Sequence, residues 1–341
     1  MTHHKTGGTL PPPHWMPIHL DQAAGRVLFR ELDLAAFRRA PFHDGRTRII
    51  TDRPADARLL SDVIAAWRAA TPAPDRLLLH QSFCGSTLLA RALQMAGCAA
   101  SYREPQILIQ ALESHAQRAD QPATEAILAL FRRAPQGEQP CVVKPSNWVN
   151  PYLAAHPVAS APGLVLLRID LVAFLLANLR GGKDRLGYSL SLLNLHLSMK
   201  PSWKPLIADI NRMTGTSPVR APLHMLAVLH ALQEQDFQTL AQRNADRGNR
   251  PALEISHRGL TENLRDTLDH VCRALGLNPA HTDVEQALAP LLATHAKSHG
   301  INHFRLPDQS RADNALFHEF RDDIIATETW AATHLHGHSQ P

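Results

Sequence analysis

The chain has 341 residues, 44% of them hydrophobic and 19% charged, with a formal net charge of +4. That length supports one large α/β domain or two smaller ones with a sizeable core, and the balance fits a soluble globular protein. The mild positive charge suits a small anionic ligand and argues against a nucleic-acid binder.

No stretch reaches the length of a transmembrane helix, and no apolar run follows Lys5 to make a signal peptide. Cys84, Cys98, Cys141 and Cys272 are scattered without a C-x-x-C pair, which predicts reduced thiols in a cytoplasmic protein. The 21 histidines show no ligand spacing, so no metal site is predicted.

In chain order, residues 1–17 are rich in His, Gly and Pro and are expected to be disordered. Residues 18–70 read as an N-terminal appendage. Arg26–Leu32 and Arg46–Thr51 are expected strands around the turn Asp44-Gly45, and Ala57–Ala70 an expected helix. After the loop Thr71-Pro-Ala-Pro74 comes a short apolar run, Arg76–His80, which reads as a buried parallel strand. The next expected strands are Cys98–Tyr102, Pro140–Val143, Gly163–Leu167 and Pro251–Ile255. Between them lie expected helices at Gln106–Ala116, Ala123–Arg133 and Leu171–Leu179, the last ending at Gly181-Gly182.

Strands alternating with helices predict a three-layer α/β/α fold on a parallel, doubly wound sheet over residues 71–335. Residues 183–248 read as a helical insertion. Thr261-Glu-Asn-Leu264 is an expected cap for a helix ending near Gly276, and Ala312–Leu335 an expected final helix with a polar tail.

The stretch Gln81-Ser-Phe-Cys-Gly-Ser-Thr87 joins the first core strand to a helix carrying Leu88, Leu89, Ala92 and Leu93 on one face. A strand, a tight turn and a helix N-terminus form an anion site, because unpaired N–H groups and the helix dipole point at the ligand. Gly85 allows close backbone approach, and Ser86 and Thr87 add hydroxyl donors. The plainer alternative is a turn whose Ser and Thr merely cap the helix. The stretch is not a Walker A loop, since His80 stands for its first glycine and Ser86 for its lysine.

It resembles the 5′-phosphosulfate loop of the sulfotransferases, which reads roughly P-K-S-G-T-T. Gly85, Ser86 and Thr87 match, and Phe83 stands where that family usually has lysine. It is more similar still to bacterial sulfotransferase-like proteins whose loop reads H-S-x-F-C-x-S-T-L-L-A-R, with Gln81 replacing the first serine. The resemblance implies a P-loop-like parallel sheet, 3′-phosphoadenosine 5′-phosphosulfate as donor, no metal, and a hydroxyl or amine on a small molecule as acceptor. In that reading Ser82, Phe83, Cys84, Gly85, Ser86 and Thr87 hold the 5′ end of the donor.

In an open parallel sheet, ligands bind beyond the C-terminal strand ends. This places Arg103 and Glu104, Lys144 and Ser146, and Arg168 beside the loop as candidates. By the resemblance, Arg168 holds the 3′-phosphate. Asn178 is a weak substitute for the serine expected on the following helix. Alternatively Arg168 pairs with Asp170 or caps a solvated helix end.

Glu104 resembles the carboxylate that accepts the acceptor's proton, which requires burial to raise its pKa, or it simply pairs with Arg103 or complements a helix N-terminus. Lys144 either supplies the ammonium missing from the loop or snorkels outward from its strand end. His80 is a further candidate donor or base, with a structural histidine as the alternative. Cys84 is either a loop thiol made reactive by the anion site or a small buried filler. Arg180, Lys183 and Arg185 around Gly181-Gly182 either hold a phosphate or form a solvated charged loop. The competing functional readings are a small-molecule kinase with a degenerate loop, and a non-catalytic nucleotide-binding or interaction module with a decayed site.

Overall fold

The computed structural model describes residues 9–70, 75–137, 139–156, 163–213, 217–278, 284–292 and 306–335. The loop Thr71–Pro74, residues 1–8 of the N-terminal segment and the tail after Leu335 lie outside them. An antiparallel three-stranded sheet comes first, built from β1 (Trp15–Asp21), β2 (Arg26–Glu31) and β3 (Asp56–Leu59), with α1 (Leu34–Arg39) between the last two. Helix α2 (Leu60–Ala69) then leads towards the main domain.

The main sheet takes β4 (Arg76–His80), β5 (Ala100–Arg103), β6 (Cys141–Lys144), β7 (Gly163–Arg168) and β8 (Leu253–Ser256). Helices α3 (Ser86–Met95), α4 (Ile107–Arg118), α5 (Gln121–Leu130) and α6 (Asn150–Ala155) connect the first four. Helices α7 (Leu171–Met199), α8 (Lys204–Arg212) and α9 (Arg220–Asp246) lie between β7 and β8. The chain then continues through α10 (His257–Glu262), α11 (Leu264–Leu275), α12 (Val284–Leu292), α13 (Leu306–Glu319) and α14 (Arg321–His334).

The five strands are all parallel and run in the order β5-β6-β4-β7-β8. Both faces are covered, and the alternation along each strand shows why the core runs are apolar throughout. Leu77 and Leu79 of β4 and Leu164 and Leu166 of β7 pack towards α4 and α5. Leu78, Val165 and Leu167 pack the other way, against α3, α7, α9 and α11. The fold is therefore α/β, a parallel sheet between two helical layers.

After β6 the chain crosses over β4 to reach β7, so the direction of winding changes at β4. A crevice opens outside the C-terminal end of the strand at such a switch point. That is where the loop Gln81–Gly85 lies.

The appendage is continuous with this domain, because Val27 and Phe29 of β2 share one buried cluster with Leu77, Leu79 and Tyr102. A second tie is His43. Its N–H donates to the Arg103 carbonyl at 2.6 Å, and its Nδ1 accepts from the Arg103 N–H at 3.1 Å. These bonds carry the segment around Phe42–Arg46 onto the rim of the main sheet.

Several expectations are corrected. Residues 15–17 belong to β1 rather than to a disordered segment. Arg46–Thr51 forms no strand; only Ile50 bridges to Leu32, and the third strand is β3, which overlaps the start of the expected helix Ala57–Ala70. The expected final helix breaks at Phe320 into α13 and α14. Ser256 caps α10, its Oγ accepting the Gly259 N–H at 3.0 Å, and Asn263 makes no side-chain cap on α11.

Helix α7 runs past Gly181-Gly182 instead of ending there, with a kink at Gly182, where φ is 58° and ψ −147°. That conformation is open essentially to glycine alone. Gly182→Ala should therefore lower stability by about 1–3 kcal/mol in urea unfolding. A loss below a few tenths of a kcal/mol would mean that the kink is not needed.

Candidate functional site

The turn after β4 contains two left-handed residues, Phe83 at φ 63° and Gly85 at φ 85°, with Cys84 between them. Left-handed residues interleaved in a turn are the backbone form of an anion-binding concavity. Gly85 is the N-cap of α3, and no side chain caps that helix. Ser86 and Thr87 are its first two residues, so they do not cap it, and the capping alternative fails. The first-turn N–H groups, which no side chain caps among the described residues, lie beside a cavity of about 610 Å³ lined by Ser82–Leu88. A cavity of this size accommodates a nucleotide-sized ligand.

The loop is held from behind. The Gln81 N–H donates to the Leu167 carbonyl at 3.0 Å, and its side-chain oxygen accepts the Ile169 N–H at 2.8 Å. Gln81 Nε2 donates to Glu234 of α9. The Ser82 N–H donates to Gln233 Oε1 at 3.3 Å. The Cys84 thiol is fully buried and donates to the Gln81 carbonyl at 3.0 Å, which is the arrangement of a packed filler.

The same cavity is lined by Glu104, in a left-handed conformation at φ 58° just after β5. The buried Lys144 ammonium donates to its Oε1, and Arg46 Nη2 reaches its Oε2 at 3.1 Å. His80 Nε2 is 4.0 Å from Oε1. Burial acts to raise the carboxyl's pKa, but Lys144, His80 and Arg46 together outweigh it and hold the group down at about 2. This corrects the expectation of a raised pKa. In this resting arrangement Glu104 is an ionised, weakly basic carboxylate.

Lys144 is 0% exposed and does not line the cavity, so it stabilises Glu104 rather than facing a ligand. It does not snorkel outward. His80 lines the cavity, with Nδ1 2.9 Å from the Gln81 carbonyl and Nε2 3.1 Å from the Pro145 carbonyl.

Two nucleotide candidates are not at the cavity. Arg168 is drawn away by Glu234 and by Glu254, the latter at 2.9 Å, and stacks over Phe237. It does not pair with Asp170, whose side chain caps α7 through the Ala173 N–H at 2.8 Å. Asn178 is buried inside α7, donating to the Phe174 carbonyl and accepting from Ser189. Arg103 is also internal, bonded to Gln94, His43 and the Phe37 carbonyl, and burial lowers its pKa to about 9.

Beside the kink in α7 two other arginines reach the cavity, one of which, Arg180, also pairs with Asp313. Arg180 and Arg185 both line the cavity; Lys183 is not among its lining residues. Arg185 donates to the Ala177 carbonyl at 2.7 Å and its guanidinium lies 5.0 Å from the Phe83 ring centre. A Cβ on Gly181 would sit 1.9 Å from the Arg185 side chain, so both glycines are needed for this placement.

Sequence reasoning missed several lining residues. Phe42, Asp44 and Arg46 come from the appendage, and no local signal marks them. Asn147 and Trp148 follow Ser146 beyond β6, and Tyr188 lies on the second half of α7. His257 directly follows β8, and its Nδ1 is 3.1 Å from the Cys84 carbonyl. Extending the strand-end rule to the fifth strand would have found it. Among the described residues no three His, Cys, Asp or Glu side chains converge as metal ligands. Nor is any described helix long and apolar enough to cross a membrane.

No family model matches the chain, and no curated protein does. Among solved structures, the chain is similar to a sulfotransferase domain from the curacin biosynthetic pathway, at 12% identity and a TM-score of 0.37. The match covers 72% of this chain and 91% of that one.

Proposed function

We propose that the chain is a sulfotransferase that moves the sulfuryl group of 3′-phosphoadenosine 5′-phosphosulfate to a hydroxyl or amine on a small molecule. The observation that carries this reading is the uncapped N-terminus of α3, beside a cavity that an ionised carboxylate also lines. Fixed N–H groups and hydroxyls would stabilise charge on a departing phosphate, and the carboxylate would orient a nucleophile. The loop fits the 5′ end of the donor through Gly85, Ser86 and Thr87. Arg168 and Asn178 do not reach the cavity, so the 3′-phosphate falls to Arg180 and Arg185.

In the reaction the acceptor oxygen or nitrogen bonds to sulfur while the bond from sulfur to the phosphate oxygen breaks. The electron pair leaves with the phosphate, and the acceptor proton passes towards Glu104. Arg46, 58% exposed, is the accessible one of the groups holding Glu104 down. Its withdrawal on acceptor entry would raise the carboxylate's basicity. Buried free cysteines fit a reducing, cytoplasmic setting.

Titration with 3′-phosphoadenosine 5′-phosphate, adenosine 5′-phosphate, and ATP with magnesium tests this. Preference for the 3′-phosphorylated nucleotide supports the proposal, preference for ATP favours a kinase, and binding of none favours a non-catalytic module. Arg185→Ala should weaken 3′-phosphoadenosine 5′-phosphate by about 1.5–3 kcal/mol and adenosine 5′-phosphate far less. Equal losses for the two would remove Arg185 from the 3′-phosphate site.

A further inference from the structure

Three side chains in three parts of the fold form a single hydrogen-bonded line ending at the anion loop. Its head is the Tyr188 phenol, whose ring meets that of Trp148 edge to face with centroids 6.0 Å apart. The Tyr188 hydroxyl donates to Asn147 Oδ1. Asn147 Nδ2 in turn donates to Ser82 Oγ at 2.7 Å. Asn147 and Ser82 are buried, and all three residues line the cavity.

The line has one direction. The Tyr188 phenol has one hydrogen and spends it on Asn147 Oδ1. This orients the amide, whose carbonyl faces Tyr188 and whose N–H₂ faces Ser82. Ser82 is thereby made an acceptor towards Asn147 and keeps its own hydrogen. Among the described residues no acceptor for that hydrogen is present, and the open direction is the cavity. The phenol stays protonated over the physiological range: burial and the nearby Glu104 raise its pKa, against smaller lowering by Trp148, Asn147 and Arg46.

We propose that Tyr188 and Asn147 are positioning residues that hold Ser82 as a hydrogen-bond donor to the anion on the loop. This rests on the anion-binding reading of the loop, and it assigns a role to residues outside the loop and outside the strand-end cations. In the opposite amide orientation Ser82 would donate to Asn147 and present lone pairs to an anion, which repels it.

The test is a double-mutant cycle on Tyr188→Phe and Ser82→Ala, read by calorimetry with inorganic pyrophosphate and with 3′-phosphoadenosine 5′-phosphate. Ser82→Ala should weaken pyrophosphate by roughly tenfold or more, the scale of one hydrogen bond to a charged group. Tyr188→Phe alone should weaken it by about threefold or more, and should add nothing once Ser82 is alanine. Additive losses would overturn the relay, because a structural effect of Tyr188 does not depend on the Ser82 hydroxyl. If Tyr188→Phe unfolds, Asn147→Asp replaces the amide donor by a carboxylate oxygen that takes the Ser82 hydrogen, and tests the same coupling.

Pyrophosphate binding with a coupled cycle but no nucleotide binding would leave the relay standing and remove the sulfotransferase reading. Binding of neither ligand overturns both.

Discussion

Glu104→Gln should lower the stability of this protein by about 3 kcal/mol at neutral pH. Both the shifted carboxyl and the buried ion pair set that size. A carboxyl whose pKa falls from an ordinary 4.5 to about 2 on folding stabilises the native state by about 1.4 kcal/mol per pH unit of the difference. Removing one partner of a buried ion pair leaves the other charge uncompensated, at about 3–5 kcal/mol, and Lys144 is 0% exposed.

The pH window follows from the direction of the shift. The contribution is complete above the unfolded value near 4.5 and disappears as pH falls through the folded value near 2. Urea unfolding of wild type and Glu104→Gln at pH 7, 4.5 and 2.5 should show the gap closing in acid. A gap that stays constant across that range would show that Glu104 acts through packing and not through its charge. Were the difference at pH 7 under 1 kcal/mol, the ion pair would not be a main support of this rim.

Gly85→Val should abolish nucleotide and pyrophosphate binding, a loss of more than about a hundredfold, in a protein that still folds. Gly85 sits at φ 85°, which a β-branched residue adopts only at a cost of about 1–3 kcal/mol. A Cβ there would also lie 3.0 Å from Leu260 Cδ2 and 3.3 Å from His257 Nδ1. The side chain would therefore crowd α10, whose His257 and Leu260 line the same cavity, and the melting temperature should fall as well. Gly85→Ala separates the two effects, with less bulk in the cavity and much of the backbone cost. If folded Gly85→Val keeps wild-type affinity, the ligand does not sit on this turn.

The elements the sequence showed most clearly are those whose burial is complete. Arg76–His80 was legible as a strand because both faces of β4 are covered, which demands an unbroken apolar run. The N-terminal sheet was harder to read. β3 is four residues long, Asp-Ala-Arg-Leu, and runs into α2 without a break in composition, so its strand character comes from pairing with β2. Trp15–Asp21 lay hidden beside a Pro-rich segment for the same reason.

The site divides the same way. Gly85, Ser86 and Thr87 were legible because backbone geometry and chain order alone put them at a helix N-terminus. Arg168 and Lys144 were chosen by the same strand-end rule, but a strand end sets where a residue starts and not where a long side chain goes. The α9 carboxylate of Glu234 and the exposed Glu254 took Arg168, and Glu104 took Lys144.

By itself the sequence determined the parallel sheet and the loop between β4 and α3, because apolar runs, a glycine and a helix start act locally. Only the tertiary structure decided which charges face the cavity. That depends on pairings between residues far apart in the chain, such as Arg46 with Glu104 and Arg168 with Glu234. Opposite charges in a low-dielectric interior settle such pairings by distance in space, which spacing along the chain does not record.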